Sequence, residues 1–345
     1  MERIFTILER LVPEAKEMLE IRYQIIRQIK HKAPVGRRQI AKDLDCTERV
    51  IRREIDMLKA RGAVNILPAG IILTPYGEEL LREIDEVMPF LFNTQYLAKQ
   101  IKNCFGLEEV IIVPGDSFAD YVTKKDLGRV AARYLQKVLY PGAVIAVTGG
   151  TTLAEMSEAV GSDVLYPDIL VVPARGGLGE EMELQAGTIA AKIAKAIGAQ
   201  YRLLHIPDNL EENTAEILKE DVHIKDVVAR IKACDILIHG IGSAMEMAAR
   251  RGLTLEEINR LEEKRAVGEA LRYYLDGDGN IVYAVPGIGL ELGDLLHIKK
   301  VIAVAGGRNK AEAIAAVLRH GGPKVLITDE GAASKIVSMM KGRDV

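Results

Sequence analysis

Tryptophan is absent from this 345-residue sequence, and phenylalanine occurs only five times. So few aromatic faces argue against the stacking platforms on which single-stranded nucleic acid is bound. Cysteine is equally scarce. Cys46, Cys104 and Cys234 are odd in number, far apart and without metal-type spacing, which argues against a disulfide frame or a zinc site and for a reducing cytoplasm. No apolar run approaches the roughly 20 residues of a membrane span. Acids interrupt the first ten residues, where a secretory signal would carry an unbroken apolar core. The net charge of −3 carries no message of its own.

The distribution of that charge does. Between Ile21 and Arg61 stand 12 lysines and arginines against 5 acids, a local excess that attracts a phosphate backbone. With 48% hydrophobic and 28% charged residues the chain is an ordinary folded protein, long enough for two or three domains. In the basic stretch, Leu19, Ile21, Ile25, Ile26 and Ile29 fit an amphipathic helix. A short helix follows over Arg37–Leu44, then a turn at Asp45-Cys46, then a helix capped by Thr47 and running to about Ala60. Val64–Leu67 and Ile71–Leu73 form a hairpin around Pro68-Ala-Gly70. This order predicts a winged helix-turn-helix over residues 1–75, its second motif helix entering the major groove of double-stranded operator DNA. That helix exposes Arg49, Arg52 and Arg53 behind Thr47, while Arg37 and Arg38 are placed for phosphates. The competing reading is a solvated charged face on a helical bundle.

Leu80, Ile84, Val87, Leu91, Thr94, Ala98 and Ile101 recur at four- and three-residue steps across residues 76–105, with Pro89 as an interruption. The spacing predicts a linker helix that pairs protomers into a homo-oligomer, dimer or tetramer, or a helix that packs on its own C-terminal domain. From residue 106 to 345, apolar runs alternate with helical periodicity. Strands are expected at Val110–Val113, Val144–Thr148, Ile169–Pro173, Tyr201–Ile206, Ile236–His239, Val301–Ala305 and Val325–Thr328. Helices are expected at Asp126–Val138, Gln185–Ile197, Asp221–Ala233 and Lys310–His320. The fold class is therefore α/β: a doubly wound, mostly parallel sheet covered on both faces. Its ligands belong at the carboxyl ends of the strands.

One such end stands out. Ala143-Val-Ile-Ala-Val-Thr-Gly-Gly-Thr-Thr152 runs from an apolar strand through Gly149-Gly150 into a helix opened by Thr151 and Thr152. The first amides of a helix lack internal partners and carry the positive end of its dipole, so an anion fits there. No Lys-Ser/Thr pair follows the glycines, so this is not a P-loop. Glycine-rich tips also follow the strands at Ala174-Arg-Gly-Gly177, Gly240-Ile-Gly-Ser243 and Gly306-Gly-Arg-Asn-Lys310. Arg175 ends one strand, Arg250 and Arg251 end a helix, where the dipole alone favours bases. Lys310 opens a helix, an unfavourable place for a cation without a nearby anion.

Ala146-Val-Thr-Gly-Gly-Thr-Thr152, Val172-Pro-Ala-Arg-Gly-Gly-Leu-Gly-Glu180, His239-Gly-Ile-Gly242, Ile302-Ala-Val-Ala-Gly-Gly307 and Ile327-Thr-Asp-Glu-Gly-Ala-Ala333 resemble the SorC family of bacterial sugar-responsive regulators. Gly36-Arg-Arg38 and Glu48-Arg-Val50 extend the resemblance into the basic third. It implies an effector domain similar to sugar-phosphate isomerases and deaminases. It also implies a repressor of glycolytic genes that needs no cofactor and is released by a sugar phosphate, fructose-1,6-bisphosphate or a relative. By that resemblance the effector lies on Gly149, Gly150, Thr151, Thr152, Arg175, Gln185, Arg250, Arg251, Glu269 and Lys310. Gln185 and Glu269 stand in helical contexts and are named on the resemblance alone. The rival is an enzyme of the deaminase type. Such deaminases are expected to carry Gly-Asp-Gly-His after the strand at Ile236–His239, where this chain has Gly240-Ile-Gly-Ser243. A third reading gives the α/β part a role in assembly only.

Overall fold

The computed structural model describes residues 11–91, 94–162, 164–179 and 181–342, without the side chains of Pro13, Lys16 and residues 86–91. The chain divides into two compact units, Met1–Tyr96 and Leu97–Val345. In the first, α1 (Pro13–Lys32), α2 (Arg37–Asp43) and α3 (Glu48–Ala60) precede a hairpin of β1 (Val64–Leu67) and β2 (Gly70–Leu73), then α4 (Pro75–Leu91). Asp45 makes the α2–α3 turn at φ 50°, a left-handed conformation its short polar side chain tolerates. The Thr47 hydroxyl accepts the Val50 amide at 3.4 Å and starts α3. Ile51, Ile55 and Leu58, spaced to share one face of α3, are buried with Ile25, Ile29, Ile40 and Ile71. Val35 pairs with Ile71 through a single antiparallel bridge that ties the chain before α2 to the hairpin. Helix, short helix, turn, helix and wing thus stand in the expected order.

Under this core, Glu54 is buried and takes hydrogen bonds from Arg22 at 2.7 Å and Arg53 at 2.8 Å. Burial opposes the charge, but the two guanidinium groups prevail and hold the carboxyl below its ordinary 4.5. The folded value lies under the unfolded one. The pairing therefore stabilises fully above pH 4.5 and is lost as pH falls through the folded value. Glu54→Gln is expected to flatten the acid limb of this unit's stability. Urea unfolding between about pH 6 and about pH 3 checks it, and an unchanged limb counts against the pairing.

The 76–105 stretch is two helices, α4 and α5 (Thr94–Phe105), with residues 92–93 outside the described set. Leu80 and Ile84 pack on the core of the first unit, Ala98 and Ile101 on that of the second. Ala98 and Ile101 thus pack on the C-terminal unit as the packing alternative expects, whereas Leu80 and Ile84 pack on the N-terminal one. Val87, Leu91 and Pro89 lie outside the described side chains.

The second unit is built on seven parallel strands: β3 (Glu109–Val113), β4 (Val144–Val147), β5 (Leu170–Pro173), β6 (Gln200–Tyr201), β7 (Ile236–His239), β12 (Lys300–Val304) and β13 (Val325–Asp329), in the order β3-β13-β12-β7-β4-β5-β6. Alternate residues serve opposite faces: Ile145 and Val147 pack with Leu153, Met156, Ile189 and Ile193, whereas Ala146 packs with Ile231 and Leu290. From neighbouring β4 and β7 the chain departs in opposite directions, to β5 and to β12, and this opens a crevice at their carboxyl ends. The strand expected over Tyr201–Ile206 is a two-residue edge pairing only with β5, because beyond it the chain turns to meet Gly177. A second sheet was not expected. β8 (Gly242–Ser243), β9 (Ala266–Ala270), β10 (Tyr273–Asp276) and β11 (Ile281–Ala284) form an antiparallel sheet beside the crevice.

Candidate effector site and nucleic-acid interface

The crevice at the β4–β7 junction is a small, mostly polar cleft at the carboxyl ends of the two strands. On its floor, Thr148 Oγ1 accepts the Gly240 amide at 3.1 Å and ties the two strand ends together. Gly150 then turns the chain at φ 118° into α6 (Thr151–Ala159), a helix with no side-chain cap. A Cβ at Gly149 would collide with the Leu184 carbonyl, so the two glycines are set by sterics. Thr151, Thr152 and Leu153, the first turn of α6, line a cleft that Arg175, Arg250 and Lys310 also line.

Eight of the ten expected residues line this cleft: Gly149, Gly150, Thr151, Thr152, Arg175, Arg250, Glu269 and Lys310. Lys310 is half-buried, and no carboxylate lies within ion-pair distance of it among the described residues. Burial pushes its ammonium pKa down, and Lys124 and Arg250 add to the shift. Glu246 and Glu269 oppose it from a distance. Arg175 is buried and hydrogen-bonded to Asp208, a residue the sequence did not single out. The loop carrying Lys310 is fixed by the buried Asp329, whose Oδ2 accepts the amides of Gly307 at 2.7 Å and Ser117 at 2.8 Å.

Two of the ten expected residues lie outside this lining. Arg251 does not line the cleft. It is buried, donates to Asp208, and donates to Glu269 at 2.6 Å. Consecutive helical residues point about 100° apart, so Arg250 lines the cleft while Arg251 turns into the interior. Gln185 also stands outside the lining: its Oε1 accepts the Leu178 amide at 3.2 Å and props the turn that bears Arg175. Glu269 lies in the cleft as expected, but on strand β9 and not on a helix. Thr148, Leu271 and Val304 line the cleft without having been foreseen. His239 is fully buried, its Nδ1 3.0 Å from the Gly240 carbonyl. Burial holds it neutral.

On the N-terminal unit, Arg49, Arg52, Arg53, Asp56 and Met57 line a shallow groove along α3. Arg38 and Arg52 reach Glu48 at only 3.5 and 3.7 Å, surface pairings of about 1 kcal/mol or less that a phosphate displaces cheaply. Arg53 is held on Glu54. Thr47 is exposed and spends its hydroxyl on the cap. Arg37 opens α2, half-exposed.

A sugar-binding domain family matches residues 91–338, and the CggR N-terminal DNA binding domain matches residues 18–88. The chain is 41% identical to the central glycolytic genes regulator of Priestia megaterium over 338 residues, 98% of this chain and 99% of the relative. The chain belongs to the SorC family of transcriptional regulators. The regulator of the same name from Bacillus subtilis is 38% identical, over 98% of this chain and 99% of the relative. A SorC family regulator from Enterococcus faecalis superposes with a TM-score of 0.65 at 39% identity, over 70% of this chain and 99% of that one. The full-length sorbitol operon regulator SorC from Klebsiella pneumoniae, at 21% identity, shares the fold with a TM-score of 0.66 over 91% of this chain and 98% of that one. This SorC-family member is a transcriptional regulator with a DNA-binding domain and a sugar-binding domain. No helix among the described residues is long and apolar enough to cross a membrane.

Proposed function

We propose that this SorC-family protein represses glycolytic genes as a homo-oligomer in the cytoplasm, and that fructose-1,6-bisphosphate in the β4–β7 cleft releases it from its operator. Relatives named as central glycolytic genes regulators support the target. The ligand reading rests on Lys310, a half-buried cation with no carboxylate within ion-pair distance among the described residues, in a cleft also lined by an uncapped helix start. One phosphate takes the amides and hydroxyls of Gly149–Thr152. The second takes Lys310 and Arg250, while Glu269 accepts from a sugar hydroxyl.

Lys310→Met is expected to cost fructose-1,6-bisphosphate a charge-assisted contact of about 1.5–3 kcal/mol, roughly 10- to 150-fold in Kd. Fructose-6-phosphate, seated on the glycine cradle, loses much less. Titration calorimetry with both sugars checks the split, and equal losses contradict the two-phosphate arrangement. Because Lys310 must be protonated to act, bisphosphate affinity also falls as pH rises through a pKa set below 10.5. The assembly-only reading gives no ligand response at all. A ligand at 100 times its Kd raises stability by about 2.7 kcal/mol, so a flat melting temperature favours that reading.

A further inference from the structure

The turn between β9 and β10 breaks the usual rules for a hairpin. Ala270 pairs with Tyr273, leaving a two-residue loop of Leu271 and Arg272. Both residues are left-handed, at φ 50° and 77°. Such loops ordinarily take Asn-Gly, since a side chain resists positive φ. A hairpin tip also belongs in water, yet Leu271 is 2% and Arg272 5% exposed. Strain of this kind persists where surrounding contacts over-determine it, and it gathers at ligand sites.

The contacts that hold the tip converge on the cleft. Leu271 forms part of the cleft wall. The Arg272 amide donates to Glu269 Oε1 at 2.7 Å. Its guanidinium reaches the carbonyls of Val285 at 3.2 Å and Leu290 at 3.4 Å. Leu290 donates in turn to the Ala174 carbonyl at 2.8 Å, and Gly289 bridges to Arg175. One residue therefore joins the strand that carries Glu269 to the turn that carries Arg175.

We propose that the inward-facing Leu271–Arg272 turn is a strained clamp in which Arg272 is a positioning residue, fixing Glu269 relative to the Arg175 turn so that both meet one sugar. This rests on the cleft being the sugar-phosphate site. Arg272 itself is not among the cleft-lining residues. Glycine accepts φ 77° freely, so in Arg272→Gly relief of the backbone offsets part of the cost of losing the buried guanidinium, and binding is compared at a temperature where the melting curve shows the variant folded.

Calorimetry on the full chain with fructose-1,6-bisphosphate and with inorganic phosphate provides the test. The expected result is sugar-phosphate binding about tenfold weaker in Arg272→Gly and about threefold weaker in Arg272→Lys, which keeps the charge but not the two-carbonyl span. Inorganic phosphate, which needs only the Gly149–Thr152 cradle, is expected to bind all three proteins alike. If either folded variant binds the sugar phosphate as the wild type does, or if both ligands weaken together, the clamp is refuted. If the wild-type protein binds neither ligand, the site reading falls and takes the clamp with it.

Discussion

Arg175→Ala protein is expected to hold operator DNA as tightly as the wild type and to stay on it at effector concentrations that strip the wild type. Arg175 stands at the carboxyl end of β5, in the cleft wall, oriented by Asp208. Its loss removes a charge-assisted contact to the ligand, about 1.5–3 kcal/mol. That corresponds to roughly 10- to 150-fold in effector affinity. The fold tolerates the change better than loss of a buried arginine usually allows, because Arg251 still donates to Asp208. Breaking a buried pair is most damaging when a charge is left alone, and here it is not. Effector can release DNA only through a difference in its affinity for the free and operator-bound arrangements. Lowering that affinity therefore shifts the release curve and leaves operator binding in place. Release by unchanged ligand concentrations contradicts the assignment of Arg175.

Arg52→Ala is expected to have the opposite signature. Its side chain is 59% exposed on α3 and meets Glu48 at 3.7 Å, a pairing that contributes little to stability. Surface changes of this kind stay within about 0.5 kcal/mol. On DNA the same guanidinium is worth about 1–3 kcal/mol if it reads a guanine edge, and a shallower salt dependence follows if it meets a phosphate. Operator binding is thus expected to weaken roughly 5- to 150-fold, with effector affinity unchanged. Anisotropy of a labelled duplex at several salt concentrations distinguishes the two contacts. Equal damage to DNA and effector binding contradicts the division of labour between the units.

The parallel sheet was legible because strands buried on both faces read as unbroken apolar runs, as Val144–Val147 and Ile236–His239 do. The winged helix was legible for a different reason: cap, turn, helix period and hairpin each have a local signature. The β4–β7 junction was not, since strand order is decided by tertiary pairing. The antiparallel sheet escaped because Ala266-Val-Gly-Glu-Ala-Leu-Arg272 is rich in helix formers, and pairing with β10 overrode propensity. A signal was nevertheless present. Asp276-Gly-Asp-Gly-Asn280 lies between Tyr273-Tyr-Leu275 and Ile281-Val-Tyr283, the pattern of a hairpin. Arg250 and Arg251 could not be told apart in sequence, because helix phase relative to the cleft was unknown. Asp208 and Asp329 gave no chemical pattern at all. Each acts by holding a neighbour that comes from a distant part of the chain.

Moving a switch from 1:99 to 99:1 takes a differential affinity of about 10⁴ between its two states, so ligand binding alone does not establish release. The direct measurement is the anisotropy of a duplex selected in vitro for tight binding, held by the full-length protein and titrated with fructose-1,6-bisphosphate. Complete release from the wild type is expected, with a complex of the Arg175→Ala, Lys310→Met double variant that persists through the same titration. Release of both complexes at the same concentration, or of neither, would contradict this.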